Sequence, residues 1–508
     1  MPFSFKHRPQ EAVTTQTPTH FSPAPSTHPA PRRDVYLDFA AATPMAPEAV
    51  AAMLPYLSER FQNPSAPYAA ARAVGADLED ARARLAHVLG ARPANVTLTA
   101  GATEANNLAI AAVSGQVLVA ATEHQSVLEA AAARDHATIP VGPDGRVDPA
   151  DVARAIGPAT ELVSVSLANG EVGAIQPIRK IAAVVAAERA RRLAGREGRP
   201  ILLHTDASQA AGYCSVNVSS LGADLVTVSA AKVYGPKQVG LLYAADGVRL
   251  RPLVRGGGQE GGVRSGTQNV PGVMAFACAL ELAERLRPRE CRRLATLRDA
   301  LQARLVREFP WCVVAGPRKA ANRLPGLLHV SFPGLEARRL VILLEREGVS
   351  VGTGSACAAS KMRVSHVLSA MGVPERVASG SLRITLGRPT TEGDVDYAAD
   401  AICRVVRAEA ARMGLGEVRD AWQHVERRAR RTRMRPDRLP RHERRRGLRA
   451  RRGAPARAGL SRACRLHAQL VSRPARLQVH VGGRPRGRGA RRRHAGDRPR
   501  RVGLRGGV

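Results

Sequence analysis

Lys232 stands where an apolar run ends and a turn begins. The run is Leu225–Ser229, a Gly-Pro turn follows the lysine, and the whole chain contains only six lysines. A lysine amine forms Schiff bases with aldehydes, which makes this position a candidate for covalent chemistry. Taken alone, the segment fits a surface lysine beside a turn equally well.

Asp206 and the segment Thr99–Glu104 offer a negative charge and an anion site. The apolar run Ile201–Asp206 ends in the acid, and a carboxylate there could hold a cationic ring nitrogen protonated. The segment TAGATE follows a strand-like run and opens a helix-like one, so its glycine turn would aim backbone N–H groups at an anion. Both features also have a structural interpretation, because Asp206 and Thr103 could simply cap helices.

Two glycine-bearing segments complete the candidate set. Arg255–Thr267 (RGGGQEGGVRSGT) contains six glycines, and it could approach a phosphate closely or merely bend. Cys357 lies among small residues in VGTGSACAAS, where a thiol can move as a travelling nucleophile must. The other six cysteines mostly sit in apolar or helical contexts that indicate packing, and packing is also the alternative for Cys357 considered alone.

The residues between Val35 and about Gly416 must supply the elements that position these groups. Short β-branched runs alternate there with stretches rich in Ala, Leu and Arg that have a helical period. The runs are NVTLTA, QVLVAA, ELVSVSLA, ILLHTDA, LVTVSA and VGLLYA. This alternation predicts an α/β fold with βαβ units around a mostly parallel sheet. Ligands on such sheets gather at the carboxyl ends of the strands, so the polar residues just after the runs are the candidates for chemistry.

The net charge of +34 over 508 residues is concentrated at the C-terminal end. The last 83 residues, from Glu426, contain 29 Arg and four acidic residues and therefore carry +25. We predict a disordered, Arg-rich tail over 417–508 and a disordered leader, rich in Pro, Thr, Ser and His, over 1–33. Three interpretations of the tail stay open: a nucleic-acid-binding arm, a solvated disordered tail, and out-of-frame translation of GC-rich DNA.

The rest of the composition excludes several classes of protein. No run of about 18 apolar residues occurs, which excludes an ordinary transmembrane helix, and no membrane partner is expected. Seven scattered cysteines without a CxxC pair give neither a disulfide framework nor a metal site. A reducing, cytoplasmic location fits this cysteine usage best.

Together and in this order, the segments closely resemble the cysteine desulfurases, members of the class V aminotransferase group of fold-type I pyridoxal-phosphate enzymes. The resemblance extends from about Val35 to about Ile402. It rests on several motifs at matching intervals: Asn63-Pro-Ser, GATEANNLAI, TEHQSVLEA, ANGEVGAIQPI, HTDASQAAG, SAAKVYGPK, GGGQEGGVRSGT and GSAC. It implies a large cofactor domain over 34–299, a smaller α/β domain over 300–416, and a homodimer.

The resemblance implies how the cofactor, pyridoxal 5′-phosphate, would be held. Lys232 would form the Schiff base, and Asp206 would pair with the pyridine nitrogen. Gln209 would contact the ring's phenolic oxygen, and Asn169 could make a second contact there. The phosphate would be held by residues of both subunits: Ala102, Thr103 and Ser229 of this chain, and Thr267 of the other subunit.

The resemblance also implies which residues act on the substrate. His124 would stack on the ring and assist proton transfer. Arg383, with Asn63 nearby, would hold the substrate carboxylate through the bidentate fork of its guanidinium. The implied reaction converts L-cysteine to L-alanine and leaves a persulfide on Cys357. The sulfur would pass to an acceptor protein, either an iron–sulfur scaffold or a tRNA-thiolating enzyme.

Four positions depart from the pattern of the family. Ala231 and Tyr68 stand where His is common, Gly170 where Asn is common, and Gly261 where Arg is common. Because these changes leave the Schiff-base lysine and the other main residues in place, we predict an active enzyme. The alternatives are a selenocysteine lyase or related β-lyase, a catalytically silent scaffold for sulfur-transfer partners, and an RNA-associated protein that binds through its tail.

Overall fold

The computed structural model describes residues 33–354 and 365–415. The strands of these two ranges are β1 (Val35–Tyr36), β2 (Val96–Thr99), β3 (Gln116–Ala120), β4 (His136–Ile139), β5 (Thr160–Ser164), β6 (Leu202–Asp206), β7 (Leu225–Ser229), β8 (Gly240–Ala244), β9 (Val313–Ala315), β10 (Leu327–Ser331), β11 (Val349–Ser350) and β12 (Ser381–Thr385). The predicted leader, apart from Arg33, and the predicted tail lie outside the described residues, so both stay predictions.

The helices of the same two ranges alternate with these strands along the chain. They are α1 (Pro47–Met53), α2 (Pro55–Ser58), α3 (Ala69–Leu89), α4 (Ala102–Ala111), α5 (Gln125–Ala132), α6 (Pro149–Ala155), α7 (Ile178–Ala194), α8 (Val218–Leu221), α9 (Val270–Glu308), α10 (Ala337–Arg346), α11 (His366–Ala370), α12 (Glu375–Ala378) and α13 (Glu392–Arg412). Among the described helices, none combines the length and the apolar character that crossing a membrane requires.

A seven-stranded sheet forms the centre of the molecule. Its strand order is β2-β8-β7-β6-β5-β3-β4, and β3 to β7 pair in parallel while β8 runs antiparallel to both of its neighbours. All five residues of β7 are buried, as expected for a strand covered on both faces. The sheet confirms the predicted α/β fold with mostly parallel strands, and each of the six predicted runs overlaps one of its strands.

The strand β4 is the member of this sheet that the sequence patterns missed. It reads HATI, and only Ile139 in it is buried. It pairs with β3 at the edge of the sheet, with Val117 opposite His136. A short run with one buried side chain lacks the apolar alternation on which strand prediction depends.

Helices cover the sheet with apolar faces of helical period. On α3, Val74, Leu78, Leu85 and Leu89 are buried and belong to the same core cluster as Val163 and Leu203 of the sheet. On the other side, Leu108 of α4 and Val127 of α5 pack in a cluster with Val119 and Leu242. Each burial of such a side chain contributes about 1.5 to 3 kcal/mol.

A second layer is built on a three-stranded antiparallel sheet of order β12-β10-β9 and on the parallel pair β1-β11. The long helix α9 belongs to both layers. Its residue Phe276 packs in the core of the large sheet, whereas Leu301 packs with Phe332 and Ile384 of the second layer. The predicted boundary between 299 and 300 falls inside this helix, and β1 lies in the second layer. The domain limits themselves stay a prediction.

Candidate active site

A cavity of about 830 Å³ opens at the carboxyl ends of the parallel strands. Its walls come from the segments that follow β2, β3, β5, β6 and β7, and from α11 and β12 of the second layer. Most of the predicted site residues line it: Ala102, Thr103, His124, Asn169, Asp206, Gln209, Ser229, Lys232 and Arg383. The large sheet therefore brings together residues from Ala102 to Lys232, 130 positions apart in sequence, as the strand-end rule expects, and the second layer adds Arg383.

Lys232 ends a short 3₁₀ turn, Ala230–Lys232, that follows β7 directly. Its ammonium Nζ donates hydrogen bonds to the carbonyl oxygens of Ala40, at 2.7 Å, and Ala41, at 2.5 Å. These carbonyls belong to the segment after β1, so the second layer contributes to holding the lysine. The amine lies at the cavity wall, where an aldehyde could reach it.

Asp206 is the last residue of β6 and is buried at the cavity wall. Its Oδ2 accepts a hydrogen bond from Asn106 Nδ2 at 2.8 Å, and its Oδ1 accepts one from the backbone N–H of Ser208 at 2.9 Å. The carboxylate is thereby fixed by donors from two elements. It presents a negative charge to the cavity from the strand next to the one that leads to Lys232.

His124 is the N-cap residue of α5 and follows the end of β3. Its Nδ1 accepts a hydrogen bond from the backbone N–H of Ser126 at 3.1 Å. The residue keeps an exposed surface toward the open cavity, but the surrounding protein withdraws its ring from bulk water. This desolvation lowers the pKa of His124; the charge of Asp206 opposes the shift, and the charges of Lys232 and His366 reinforce it. The ring is therefore neutral at pH 7, which suits a residue that takes and returns a proton.

The N-terminus of α4 lies at one end of the cavity. Gly101 is its N-cap residue and has a φ of 119°, in the region that favours glycine. Ala102 and Thr103 are the first two residues of the helix, so their backbone N–H groups have no acceptor within it. Gly240 of β8 packs so closely that a Cβ on it would lie 2.8 Å from Gly101 Cα. The buried Ser229 also lines this cavity. The backbone N–H groups and the helix dipole make this end suitable for a phosphate.

Arg383 of β12 brings a buried positive charge to the cavity. Its side chain forms an ion pair with Asp38, with Nη2 to Oδ1 at 2.8 Å, and its Nη1 donates to the Gly170 carbonyl at 3.3 Å. Its Nε is buried and has no hydrogen-bond partner among the described residues. A ligand carboxylate would satisfy this donor, because a guanidinium binds carboxylates through adjacent N–H groups. The sequence motifs did not identify Asp38, although it lies in the segment VYLD at the start of the resemblance.

Asn169 and Gly170 form a tight turn beside the cavity. The Asn169 side chain accepts the backbone N–H groups of Glu171 and Val172, each at 2.9 Å, and donates to the Thr122 carbonyl at 3.0 Å. A Cβ at Gly170 would lie 2.8 Å from the side chain of Gln209, which itself donates to the Ala40 carbonyl. Because the Gln209 side chain occupies this space, position 170 takes glycine and not the Asn that is common there in the family.

Glu123 is a cavity residue that sequence reasoning missed. Its carboxyl oxygens accept the backbone N–H of Ser166 at 2.8 Å and the hydroxyl of the same residue. Only 2% of Glu123 is exposed, and this burial raises the pKa of its carboxyl to about 8. Its carbonyl oxygen lies 3.0 Å from His366 Nε2 of α11. Its position directly after β3 and before His124 is a signal that could have identified it.

Three predicted site residues are not brought to the cavity by the described part of this chain. Asn63 lies in an exposed turn, where its Oδ1 accepts the backbone N–H of Ser65 at 3.0 Å. Thr267 is exposed and does not line the cavity of its own chain; the prediction assigns it to the site of the other subunit. Cys357 lies outside the described residues. The roles of all three stay predictions.

Comparisons with known proteins identify the family of this chain. Residues 35–398 match the aminotransferase class-V family. Cysteine desulfurase IscS of Dictyoglomus turgidum is 38% identical over 387 residues, which cover 74% of this chain and 95% of that protein. A solved NifS-like protein has a TM-score of 0.67 at 32% identity, covering 74% of this chain and 99% of its own. A solved structure described as SspA in complex with cysteine has a TM-score of 0.58 at 29% identity, covering 69% of this chain and 98% of its own.

These similarities confirm the predicted fold-type I α/β fold and the recognised family. The matched range begins at Val35 in β1 and ends within α13, so it contains every described residue of the cavity. The sequence motifs, the carboxyl-end cavity and the similarity over three quarters of the chain therefore lead to one assignment: the chain belongs to the class-V aminotransferase family, within its cysteine desulfurase group.

Proposed function

We propose that this protein is a pyridoxal-phosphate-dependent cysteine desulfurase, which converts L-cysteine to L-alanine and transfers the sulfur to Cys357 as a persulfide. The observation that carries the proposal is the meeting of an amine, a carboxylate, an imidazole and a guanidinium on one cavity: Lys232, Asp206, His124 and Arg383. The similarity to cysteine desulfurases and to a protein described in complex with cysteine supports the substrate.

The residues present fit pyridoxal phosphate. The N-terminus of α4, with Ala102 and Thr103, and the hydroxyl of Ser229 would hold the phosphate. Asp206 would hold the ring nitrogen, and the Lys232 amine would bind the aldehyde. When bound, the cofactor supplies an electron sink for the bond broken at the amino acid. A cavity of about 830 Å³ has room for both the cofactor and an amino acid.

The side chains of this protein divide the remaining work. Arg383 binds the substrate carboxylate through the donors that its pair with Asp38 leaves unused. The Lys232 amine takes the proton from Cα of cysteine, and His124 holds or returns a proton at its ring nitrogen. The Cys357 thiolate attacks the substrate sulfur, so that the bond from sulfur to Cβ breaks, a sulfur–sulfur bond forms, and Cβ receives a proton to give alanine.

A pair of cysteine variants tests the function and separates it from the lyase alternative. Alanine production and protein-bound persulfide are measured with L-cysteine, and selenide release with selenocysteine. In a desulfurase, Cys357→Ala abolishes the persulfide and the turnover of cysteine. The control Cys403→Ala changes a buried residue of α13 and leaves both intact. Unimpaired selenocysteine turnover in Cys357→Ala would favour the lyase, and absence of both activities in the wild type would favour the scaffold.

We further propose that the protein works as a homodimer. Large apolar side chains are exposed on two segments of the single chain: Leu54, Leu57 and Phe61, at 55%, 55% and 70%, and Leu253 with Val254. Exposed apolar groups of this size are typical of protein interfaces. Light scattering should give twice the chain mass of 54.1 kDa. A monomer that keeps full cofactor affinity would contradict both the dimer and the role of Thr267.

The sulfur acceptor and the location remain part of this proposal. An iron–sulfur scaffold and a tRNA-thiolating enzyme are both acceptors for a persulfide, and sulfur transfer from ³⁵S-cysteine to each purified acceptor distinguishes them. A cytoplasmic location is supported by the described cysteines, all five of which are free thiols. RNA retention by the full chain and by a chain ending at Gly416 tests the nucleic-acid role of the tail.

A further inference from the structure

Four side chains form a continuous hydrogen-bonded row whose two ends, Asp206 and His124, line the cavity. Asp206 Oδ2 lies 2.8 Å from Asn106 Nδ2, which lies 2.9 Å from Ser126 Oγ, which in turn lies 2.8 Å from His124 Nδ1. Asn106 is fully buried on α4, and Ser126 lies in the first turn of α5. The row joins Asp206, proposed to hold the ring nitrogen of the cofactor, to His124, proposed to transfer protons. Its two middle residues, Asn106 and Ser126, have no step in the proposed reaction.

The chemistry of the partners fixes the direction of these bonds. An ionised carboxylate can only accept, so the Asn106 amide nitrogen must face Asp206. The reversed amide would place two acceptor oxygens 2.8 Å apart. The second N–H of the same amide then points to Ser126 Oγ, which accepts it and keeps its own hydrogen for donation. The Asn106 carbonyl oxygen is buried without a partner among the described residues, which shows that the nitrogen contacts decide its orientation.

The same logic places the proton of His124. The backbone N–H of Ser126 donates to Nδ1 at 3.1 Å, so Nδ1 carries no hydrogen. The hydroxyl of Ser126, which already accepts from Asn106, lies 2.8 Å from the same nitrogen and can only donate to it, so that it shares the single lone pair of Nδ1 with the backbone N–H. A neutral imidazole with Nδ1 as acceptor must carry its single proton on Nε2.

We propose that Ser126 and Asn106 are positioning residues that hold Nδ1 of His124 as an acceptor and so keep the ring proton on Nε2. Neither residue lines the cavity, and both act through His124. The inference deepens the proposed function, because it rests on His124 working in this cavity. The charged and titratable groups that face the ring are Asp206, Lys232 and His366. Desolvation, Lys232 and His366 lower the pKa of His124, whereas Asp206 raises it.

Ring-nitrogen NMR tests this proposal on the full-length protein with its cofactor. The protein is labelled with ¹⁵N-histidine, and the His124 signals are assigned by their loss in His124→Gln. At pH 7.5 the wild type should show a protonated Nε2 and an unprotonated, hydrogen-bonded Nδ1. Ser126→Ala removes the hydroxyl and keeps the backbone N–H, so the Nδ1 signal should move and the pKa of His124 should rise. Asn106→Ala should move both in the same direction, because the hydroxyl loses its orientation.

Two further variants separate positioning from a general loss of structure. Ser126→Thr retains a hydroxyl and should restore the wild-type Nδ1 signal. Ser220→Ala removes an exposed serine hydroxyl on α8 and should leave the His124 signals unchanged. With L-cysteine, we expect kcat of Ser126→Ala to fall about fivefold to tenfold with KM unchanged, the size of one lost hydrogen bond in the transition state.

The ring signals are read without turnover, so they can be separated from the proposed function. A proton on Nδ1 in the wild type, or an Nδ1 signal unmoved by Ser126→Ala and Asn106→Ala, would overturn this inference even in an active enzyme. A protein that turns over neither cysteine nor selenocysteine but shows the expected ring state would overturn the proposed function instead.

Discussion

Replacement of Glu123 by glutamine should make the protein more resistant to unfolding at alkaline pH. The side chain is 2% exposed, and burial raises its carboxyl pKa from 4.5 to about 8, with the charge of Asp206 adding to the effect. Glutamine has nearly the same shape, can still accept the Ser166 N–H, and carries no ionisable group. The substitution therefore removes the cost of a buried charge and little else.

The sign and size of this effect follow from proton linkage. Below pH 4.5 the carboxyl is protonated in both the folded and the unfolded state. Between pH 4.5 and about 8 the unfolded state loses the proton that the folded state retains, so the free energy of unfolding falls as pH rises. The whole loss is about 5 kcal/mol, at about 1.36 kcal/mol per pH unit, and about 3 kcal/mol of it falls above pH 5.5.

Urea unfolding of wild type and Glu123→Gln at pH 5.5 and pH 9 measures this difference. The stability advantage of the variant should be larger at pH 9 by about 3 kcal/mol. The matched control is Glu129→Gln, which changes an exposed carboxylate on α5, the helix that begins two residues after Glu123. This control should alter the free energy of unfolding by less than about 0.5 kcal/mol at either pH. A variant advantage that is equal at the two pH values would refute the buried, protonated state of Glu123.

Two further predictions concern packing and a buried ion pair. Gly170→Ala places a Cβ 2.8 Å from the Gln209 side chain and should lower the free energy of unfolding by about 1 to 3 kcal/mol. The measured effects should be a lower Tm and weaker cofactor binding. An unchanged Tm would show that Gln209 moves freely. Glu260→Ala removes the buried one of the two carboxylates that pair with Arg82, whose two Nη atoms lie 2.6 and 2.9 Å from it. Because Glu79 still pairs with the guanidinium, the cost in urea unfolding should be about 1.5 to 3 kcal/mol, the value of hydrogen bonds to a charged group, and a loss below about 0.5 kcal/mol would contradict the burial of the pair.

The parts of the fold that the sequence predicted are those with a local signal. Apolar runs of strand length predicted β6 and β7, and the strand-end rule then indicated Asp206 and Lys232. The pairing of these two strands in parallel brings both residues to the same edge of the sheet. Each of these two residues is identified by the apolar run just before it, so the sequence predicts both without knowledge of contacts between distant residues.

The missing parts depend on contacts between distant residues. Asp38 and Arg383 form an ion pair across 345 positions, and no local pattern indicates that the two side chains meet. The burial that changes the chemistry of Glu123 likewise arises from the surrounding fold, although its place beside His124 is visible in the sequence. The row through Asn106 and Ser126 joins three elements, and it forms only when α4, α5 and β6 are packed together.

Identifying the amine that binds the cofactor would test the proposed chemistry at its first step. The protein, supplied with pyridoxal phosphate, is reduced with borohydride, digested and analysed by mass spectrometry. The proposed function predicts the mass of the reduced cofactor on the peptide that contains Lys232, loss of that label in Lys232→Ala, and its retention in the control Lys237→Ala. A label on Lys237 or on any other lysine, or no label on a protein that binds the cofactor, would contradict it.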